Sequence, residues 1–348
     1  MKKRSLLGAG STKEPEKRVK KKHSNLLLPS GSTLLNLALA DDPYGGYCKG
    51  TIVNAIGDKN TGKTYLLWTL FAELVAQKLY DDYLLFYDEP ESKLKYKLKE
   101  LFGKNIGRVD LSRRSNTIQD WAGSVYEVVR KHKSFIYGLD SFDSLTSLEE
   151  IKRQKEGITK KTETKGGYKT EKAIGSGELL RLICRDVEDT DSLMFIISQV
   201  REKIGVRFGK KLTRSGGKAL GHHAIHEMWL AVESYFKRRD QKAGVNVIVD
   251  IAKNHLTGKL RKVRFSIIDG YGIDNIGSMI DFLIDGGFWG KKTQQTIDCK
   301  GDFPNVTREK LIQMIEEENA EDELIQIVAE SWRVIEEEIA SDRKPRYK

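Results

Sequence analysis

Short, almost fully apolar runs alternate with longer stretches of helical period along much of this chain. Residues 51–56, 83–87, 133–139 and 192–198 have strand length and few polar positions. Strands apolar on both faces belong in a parallel sheet that is covered on each side. Between them, residues 65–79, 92–102, 117–131 and 176–188 carry helical patterns. The alternation predicts an α/β fold, a mostly parallel twisted sheet with helices on both faces. Past residue 224 the pattern shifts. Residues 228–234, 245–253 and 262–268 read as strands joined by turns, extending the sheet with antiparallel strands. Residues 307–318 and 321–340 read as acidic amphipathic helices, and Ser32 and Thr33 offer N-caps to a short helix over 34–39.

The 51–56 run leads into Gly57-Asp58-Lys59-Asn60-Thr61-Gly62-Lys63-Thr64, a complete GxxxxGK[ST] pattern with a helix behind it. Strand, glycine loop and helix in that order make a phosphate-binding loop. Its backbone N–H groups can curl around phosphate oxygens at the positive end of the helix. Lys63 is placed to reach the β- and γ-phosphates, and the Thr64 hydroxyl to take a Mg²⁺ position.

Three other strand ends supply chemistry. Asp140 follows the third apolar run and can hold the Mg²⁺ shell through water. The second run ends in Asp88-Glu89-Pro90-Glu91-Ser92. Glu89 and Glu91 both compete to orient and deprotonate the water that attacks the γ-phosphorus, with Glu91 preferred. The fourth run delivers Ser198-Gln199, a neutral amide able to sense a γ-phosphate and relay its loss onward. The adjoining segment, residues 200–220, is glycine-rich and cationic. Arg201, Lys203, Arg207, Lys210, Lys211 and Arg214 can meet phosphates, and the interleaved Ile204, Val206 and Phe208 can wedge between bases.

Composition sharpens this picture. The formal net charge of +10 favours a polyanionic partner. Residues 1–23 carry nine Lys/Arg against two Glu, whereas 316–338 carry ten Asp/Glu against Arg333 alone. Residues 1–25 lack periodic apolar positions and read as a basic, disordered arm. With 32% charged and 39% apolar residues the chain reads as soluble and globular. No run approaches the ~18 apolar residues of a membrane span. Leu6 and Leu7 alone are too little for a signal peptide. Cys48, Cys184 and Cys299 are odd in number and far apart, which points to a reducing compartment without a disulfide or zinc framework. The expected location is the cytoplasm, or a host's cytoplasm for a viral protein. His222, His223 and His226 lie at helix-like spacing, but no carboxylate or cysteine completes a metal set.

The segment Ser198-Gln199-Val200-Arg201-Glu202-Lys203-Ile204-Gly205-Val206-Arg207-Phe208-Gly209, closed by Ser215-Gly216-Gly217-Lys218-Ala219-Leu220, resembles the second DNA-binding loop of RecA recombinases. The glycine loop, the Leu139-Asp140-Ser141 strand end, the Glu91 position, the entry at 30–39 and the segments 252–255 and 265–273 resemble the family in the same order. The likeness covers roughly residues 28–285 and extends to RecA/UvsX-like, ATP-dependent strand-exchange proteins, with a compact divergent core suggestive of a phage source. It implies a RecA-like P-loop NTPase core at 26–285, DNA-binding loops near 152–175 and 200–220, and a small C-terminal region with acidic helices at 286–348. It also implies ATP and Mg²⁺ as cofactors, a DNA-dependent ATPase, single- and double-stranded DNA as partners, and self-assembly into a filament or ring. Lys253 matches a basic residue that reaches a neighbouring subunit's ATP in the family, while His255 replaces the second. The lysine-rich insertion, with Lys160 and Lys161, corresponds to the first DNA loop and is expected to be disordered without DNA. An apolar-faced N-terminal assembly helix is missing from residues 1–25. That departure and His255 favour the alternative of a non-exchanging, RecA-like ATP-binding mediator or regulator. A hexameric helicase shares the core, but the Ile-Gly-Val-Arg-Phe-Gly segment argues against it.

Overall fold

The computed structural model describes residues 25–91, 97–160, 168–202, 212–214 and 217–343. The expected arm over residues 1–25 lies outside them except for its last residue.

Leading the chain are β1 (Leu27–Leu28), α1 (Thr33–Ala40) and β2 (Tyr47–Cys48). Ser32 caps α1, its hydroxyl accepting from the Leu35 N–H. The α/β alternation then runs β3 (Thr51–Gly57), α2 (Lys63–Val75), β4 (Leu84–Asp88), α3 (Leu98–Phe102), β5 (Asp110–Arg113), α4 (Ile118–Val129), β6 (Phe135–Leu139), α5 (Leu148–Lys160), α6 (Tyr168–Asp189) and β7 (Leu193–Glu202). After β8 (Leu212–Arg214) and α7 (Gly217–His223) come β9 (His226–Arg238), β10 (Gln241–Asn254), β11 (Lys262–Ile268) and β12 (Gly272–Asp274). The C-terminal elements are α8 (Asn275–Asp285), the pair β13 (Gly290–Lys291) and β14 (Ile297–Asp298), α9 (Arg308–Glu317) and α10 (Glu321–Ile339).

The main sheet runs β12-β11-β10-β9-β3-β7-β6-β4-β5, with β8 hanging from β7. From β9 through β5 the neighbours are parallel, and from β9 to β12 they are antiparallel. Alternate residues of the apolar strands supply two cores, one on each side. Val53, Ala55, Leu85, Tyr87, Phe195 and Ile197 pack with α2 through Leu67, Leu70, Phe71 and Leu74. Ile52, Phe86, Tyr137, Leu139, Met194 and Ile196 pack with Trp121 and Val125 of α4 and Leu180, Ile183 and Val187 of α6. This double burial is why these strands are apolar at successive positions. Leu311, Ile315, Leu324, Val328 and Trp332 of α9 and α10 join the α2-side core. Arg261 and Lys259 fasten α10 through Glu336. Hydrogen bonds from Arg261, then Lys259, hold that carboxyl down to about 2.

Several expectations need correcting. The insertion expected as a disordered loop over 152–175 is largely helical: α5 runs to Lys160 and α6 begins at Tyr168, with 161–167 outside the described residues. Ser147 accepts from the Glu150 N–H at 3.1 Å, and Glu149 and Glu150 put acid in the first turn of α5. A capped, dipole-matched start offsets the high charge that suggested solvation. The helix expected over 65–79 stops at Val75, with a separate 3₁₀ turn at Lys78–Tyr80. His222 and His223 end α7 whereas His226 opens β9, so the three do not share a helix. No helix among the described residues is long and apolar enough to cross a membrane.

Candidate nucleotide and switch site

The glycine loop joins β3 to α2 at the centre of the sheet. Gly62 takes a φ of +84°, and a Cβ there would stand 2.3 Å from Ile267 Cδ1. A Cβ on Gly57 would stand 2.6 Å from the Leu230 carbonyl oxygen. Both positions therefore need glycine, one for backbone conformation and space, the other for space. Asn60 sits at φ 61°, a left-handed conformation that asparagine tolerates.

Lys63 folds back over this loop. Its Nζ donates to the carbonyls of Gly57 at 2.9 Å and Asp58 at 2.5 Å, and to Thr61 Oγ1 at 3.2 Å. Burial pulls its ammonium below the usual lysine range, opposed by Asp140, Asp58 and Asp143. Thr64 Oγ1 donates to Asp140 Oδ2 at 2.7 Å, and the Tyr87 hydroxyl donates to the same oxygen at 3.0 Å. Burial pushes the Asp140 carboxyl up; those two hydrogen bonds and Lys63 act against it, and Glu91 adds to it. Beside the loop lies a cleft of about 370 Å³ lined by Asn60–Tyr65, Tyr235, Lys242, Gly244, Val245, Ile267 and Asp269. Sequence reasoning missed its far wall, because β9, β10 and β11 reach it only through the antiparallel extension.

The two competing glutamates separate. Glu91 Oε1 accepts from Ser144 Oγ at 2.6 Å and faces Gln199 Nε2 at 3.4 Å. Glu89 instead follows β4 toward the sheet edge, its N–H directed to the Arg113 carbonyl at 3.4 Å. Asp88, the last residue of β4, is fully buried. It accepts from the Ser115 N–H at 2.8 Å, from Ser115 Oγ at 2.6 Å and from the Tyr137 hydroxyl. A buried carboxylate with three donors is a fixed point from which residues 89–91 depart. Gln199 lies opposite Gly57 in the parallel register of β3 and β7, and its N–H donates to Asp143 Oδ2 at 2.6 Å. Asp143 and Ser144 were not singled out in the sequence. Their only signal was a polar Asp-Ser-Phe-Asp-Ser run behind a strand.

Beyond Gln199, β7 continues and pairs antiparallel with β8, setting Val200 against Arg214, Arg201 against Thr213 and Glu202 against Leu212. The pair brackets residues 203–211. Lys203, Ile204, Arg207, Phe208, Lys210 and Lys211 lie outside the described residues, as does Lys161. Arg201 and Arg214 are placed in the two strands of the ribbon and Lys160 at the end of α5. Lys253 Nζ donates to the Gly221 and His222 carbonyls of α7 at 2.7 and 3.1 Å, away from this chain's own glycine loop. Lys59 and Asp58 sit exposed on the loop, with the Lys59 N–H donating to Asp58 Oδ1.

The sequence model of the RecA N-terminal domain matches residues 7–274. The chain belongs to the RecA family. Protein RecA of Fusobacterium nucleatum subsp. nucleatum is 28% identical over 284 residues, which cover 78% of this chain and 68% of that protein. Protein RecA of Caulobacter vibrioides is 29% identical over 259 residues, 74% of this chain and 68% of the relative. Protein RecA of Streptomyces coelicolor is 30% identical over 262 residues, 75% and 66% of the two chains. The sheet and glycine loop described above are thus a RecA-like P-loop core.

Proposed function

We propose that this RecA-family chain is an ATP-dependent, single-stranded-DNA-binding recombinase that promotes homologous pairing and strand exchange. Membership of the family supports ATP binding, DNA binding and a role in recombination and repair. The observation that carries the finer reading is the place of Gln199. It stands in register with the first glycine of the loop, reaches Glu91, and opens the β7–β8 ribbon that brackets the cationic segment 203–211. A γ-phosphate signal and a nucleic-acid grip then share one strand.

The residues fit Mg²⁺-ATP. Two positions hold glycine where a side chain would collide, and a buried lysine overlies the loop. The Thr64–Asp140 pair is an oxygen donor set suited to a hard cation. When bound, the nucleotide and metal supply the phosphoryl group and its Lewis-acid activation. Residues 57–64 hold the phosphates, Lys63 faces the charge on the β- and γ-oxygens, and Thr64 and Asp140 hold the metal shell. Glu91 orients the attacking water and takes its proton. Gln199 reports the γ-position to residues 200–214, where Arg201, Lys203, Arg207, Lys210, Lys211 and Arg214 meet phosphates and Ile204 and Phe208 meet bases. Lys160 and Lys161 add phosphate contacts, Lys253 faces a neighbouring subunit's nucleotide, and the protein works in the cytoplasm, a host's if it is viral. We place the ATPase core at 26–285 and an acidic C-terminal region at 286–348.

Strand exchange between a circular single strand and a homologous duplex, with and without ATP, tests this reading. ATP-dependent joint molecules are expected. The second reading, a non-exchanging mediator, is favoured by Lys253 serving its own chain's α7 carbonyls. It calls for ATPase and DNA binding without joint molecules, and for no helical filaments on single-stranded DNA.

A further inference from the structure

Immediately after Asp140, the chain makes the 3₁₀ turn Phe142–Ser144. Phe142 is fully buried and meets Trp121 of α4 edge-on at 5.8 Å, so the turn is pinned from the core side. Its two polar residues contact different parts of the site. Asp143 Oδ2 accepts from the Gln199 N–H, and Ser144 Oγ donates to Glu91 Oε1, each at 2.6 Å. Gln199 Nε2 approaches the same Glu91 oxygen at 3.4 Å. Residues 143–144, Glu91 and Gln199 therefore close a ring.

The bonds in this ring differ in strength. A hydroxyl on a carboxylate at 2.6 Å, and a main-chain N–H on a carboxylate at the same distance, are charge-assisted and strong. An amide at 3.4 Å is at the outer edge of hydrogen bonding. The pinned turn thus holds the Glu91 carboxylate and the Gln199 main chain firmly, and the Gln199 side chain loosely. We propose that Ser144 and Asp143 are positioning residues: Ser144 sets the carboxylate that orients the attacking water, and Asp143 fixes the pivot about which the Gln199 amide switches. The turn would then couple hydrolysis to the β7–β8 ribbon. This rests on the ATPase reading of the site, which gives Glu91 and Gln199 their roles.

The test measures steady-state ATP turnover with single-stranded DNA for wild type, Lys63→Ala, Ser144→Ala and Ser144→Thr, with thermal melts of each. Wild-type turnover that Lys63→Ala removes establishes the ATPase by itself, so failure of that reading shows separately. Ser144→Ala is expected to lower kcat roughly 10- to 100-fold with KM for ATP changed less than about threefold, because it loosens a group engaged after binding. Ser144→Thr, which keeps the hydroxyl, is expected to recover most of the rate. Wild-type kcat in Ser144→Ala, or equal loss in both variants with unchanged melting, overturns the role of Ser144. Asp143→Ala tests the other arm without turnover. The ratio of oligonucleotide affinities with a slowly hydrolysed ATP analogue and with ADP is expected to fall toward one. A wild-type ratio in that variant overturns the pivot.

Discussion

Lys63 Nζ lies 2.9 Å from the carbonyl oxygen of Gly57, the first residue of its own loop. The ammonium is buried, and burial lowers its proton affinity. Its place in the folded chain is therefore held against a desolvation cost. Lys63→Ala should keep its melting temperature within a few degrees of wild type. It should also lose DNA-stimulated ATP turnover by at least about a hundredfold, the scale for removing a preorganised charge from a transition state. Unchanged turnover in a folded variant would contradict the site.

The separation of the two glutamates gives a second expectation. Glu91 contacts Ser144 and faces Gln199, whereas Glu89 follows the strand toward Arg113. Glu91→Gln keeps the shape and removes the base, so kcat should fall about 10²- to 10⁴-fold while ATP still binds. Glu89→Gln should retain turnover within about threefold. Single-turnover hydrolysis measured on both variants decides, and the reverse ordering would hand the role to Glu89.

A third expectation concerns the glycines. At Gly57 a methyl group would meet a main-chain oxygen of β9 at 2.6 Å, and backbone in a central sheet cannot yield easily. At Gly62 the nearest atom is the tip of a flexible isoleucine, but φ is +84°. Gly57→Ala should cost about 1–3 kcal/mol of stability through overpacking. Gly62→Ala should cost about 1 kcal/mol or more through backbone strain and also weaken nucleotide binding. Urea unfolding together with titration of a fluorescent ATP analogue separates the two effects.

How far the sequence foreshadowed all this depended on the range of the interactions involved. The glycine loop was legible because strand, loop and helix are contiguous and each has a local signature. So were β3, β4, β6 and β7, since burial on two faces leaves a run of apolar residues that needs no partner to be seen. Edge strand β5 was missed. Its Asp110, Leu111, Ser112 and Arg113 are all partly or largely exposed and carry no apolar run. The different surroundings of Glu89 and Glu91 were not legible in the sequence, because the contacts of Glu91 are with Ser144 and Gln199, 53 and 108 residues away. Helix α5 was hidden by its lysines. Its first-turn N–H groups are met by the Ser147 hydroxyl and by Gln119 Oε1, contacts that composition does not weigh. His226 was read with its neighbours at helical spacing, although the chain changes from helix to strand between them.

That histidine yields the last expectation. His226 is fully buried at the start of β9, and neither ring nitrogen has a hydrogen-bond partner among the described residues. Burial, with a smaller contribution from His255, pulls its imidazole down to about 4. In the unfolded chain it titrates near 6.5. Above pH 6.5 both states are neutral and the residue adds no pH dependence. Between pH 6.5 and about 4 the unfolded state takes up a proton that the native state refuses. Stability therefore falls as pH falls, by about 1.4 kcal/mol per pH unit at most, or roughly 3 kcal/mol across the window. Below about pH 4 the native state protonates too and the contribution levels off. His226→Leu removes both the titration and the two unpartnered nitrogens at nearly constant volume. Its stability at pH 7.5 should match or exceed wild type, because an unpaired buried polar group is replaced by an apolar one. Its advantage should widen as pH drops from 6.5 to 4.5. Urea melts of both proteins across that range measure the difference. Parallel pH profiles would mean that the imidazole takes up its proton as readily in the folded protein as in the unfolded chain.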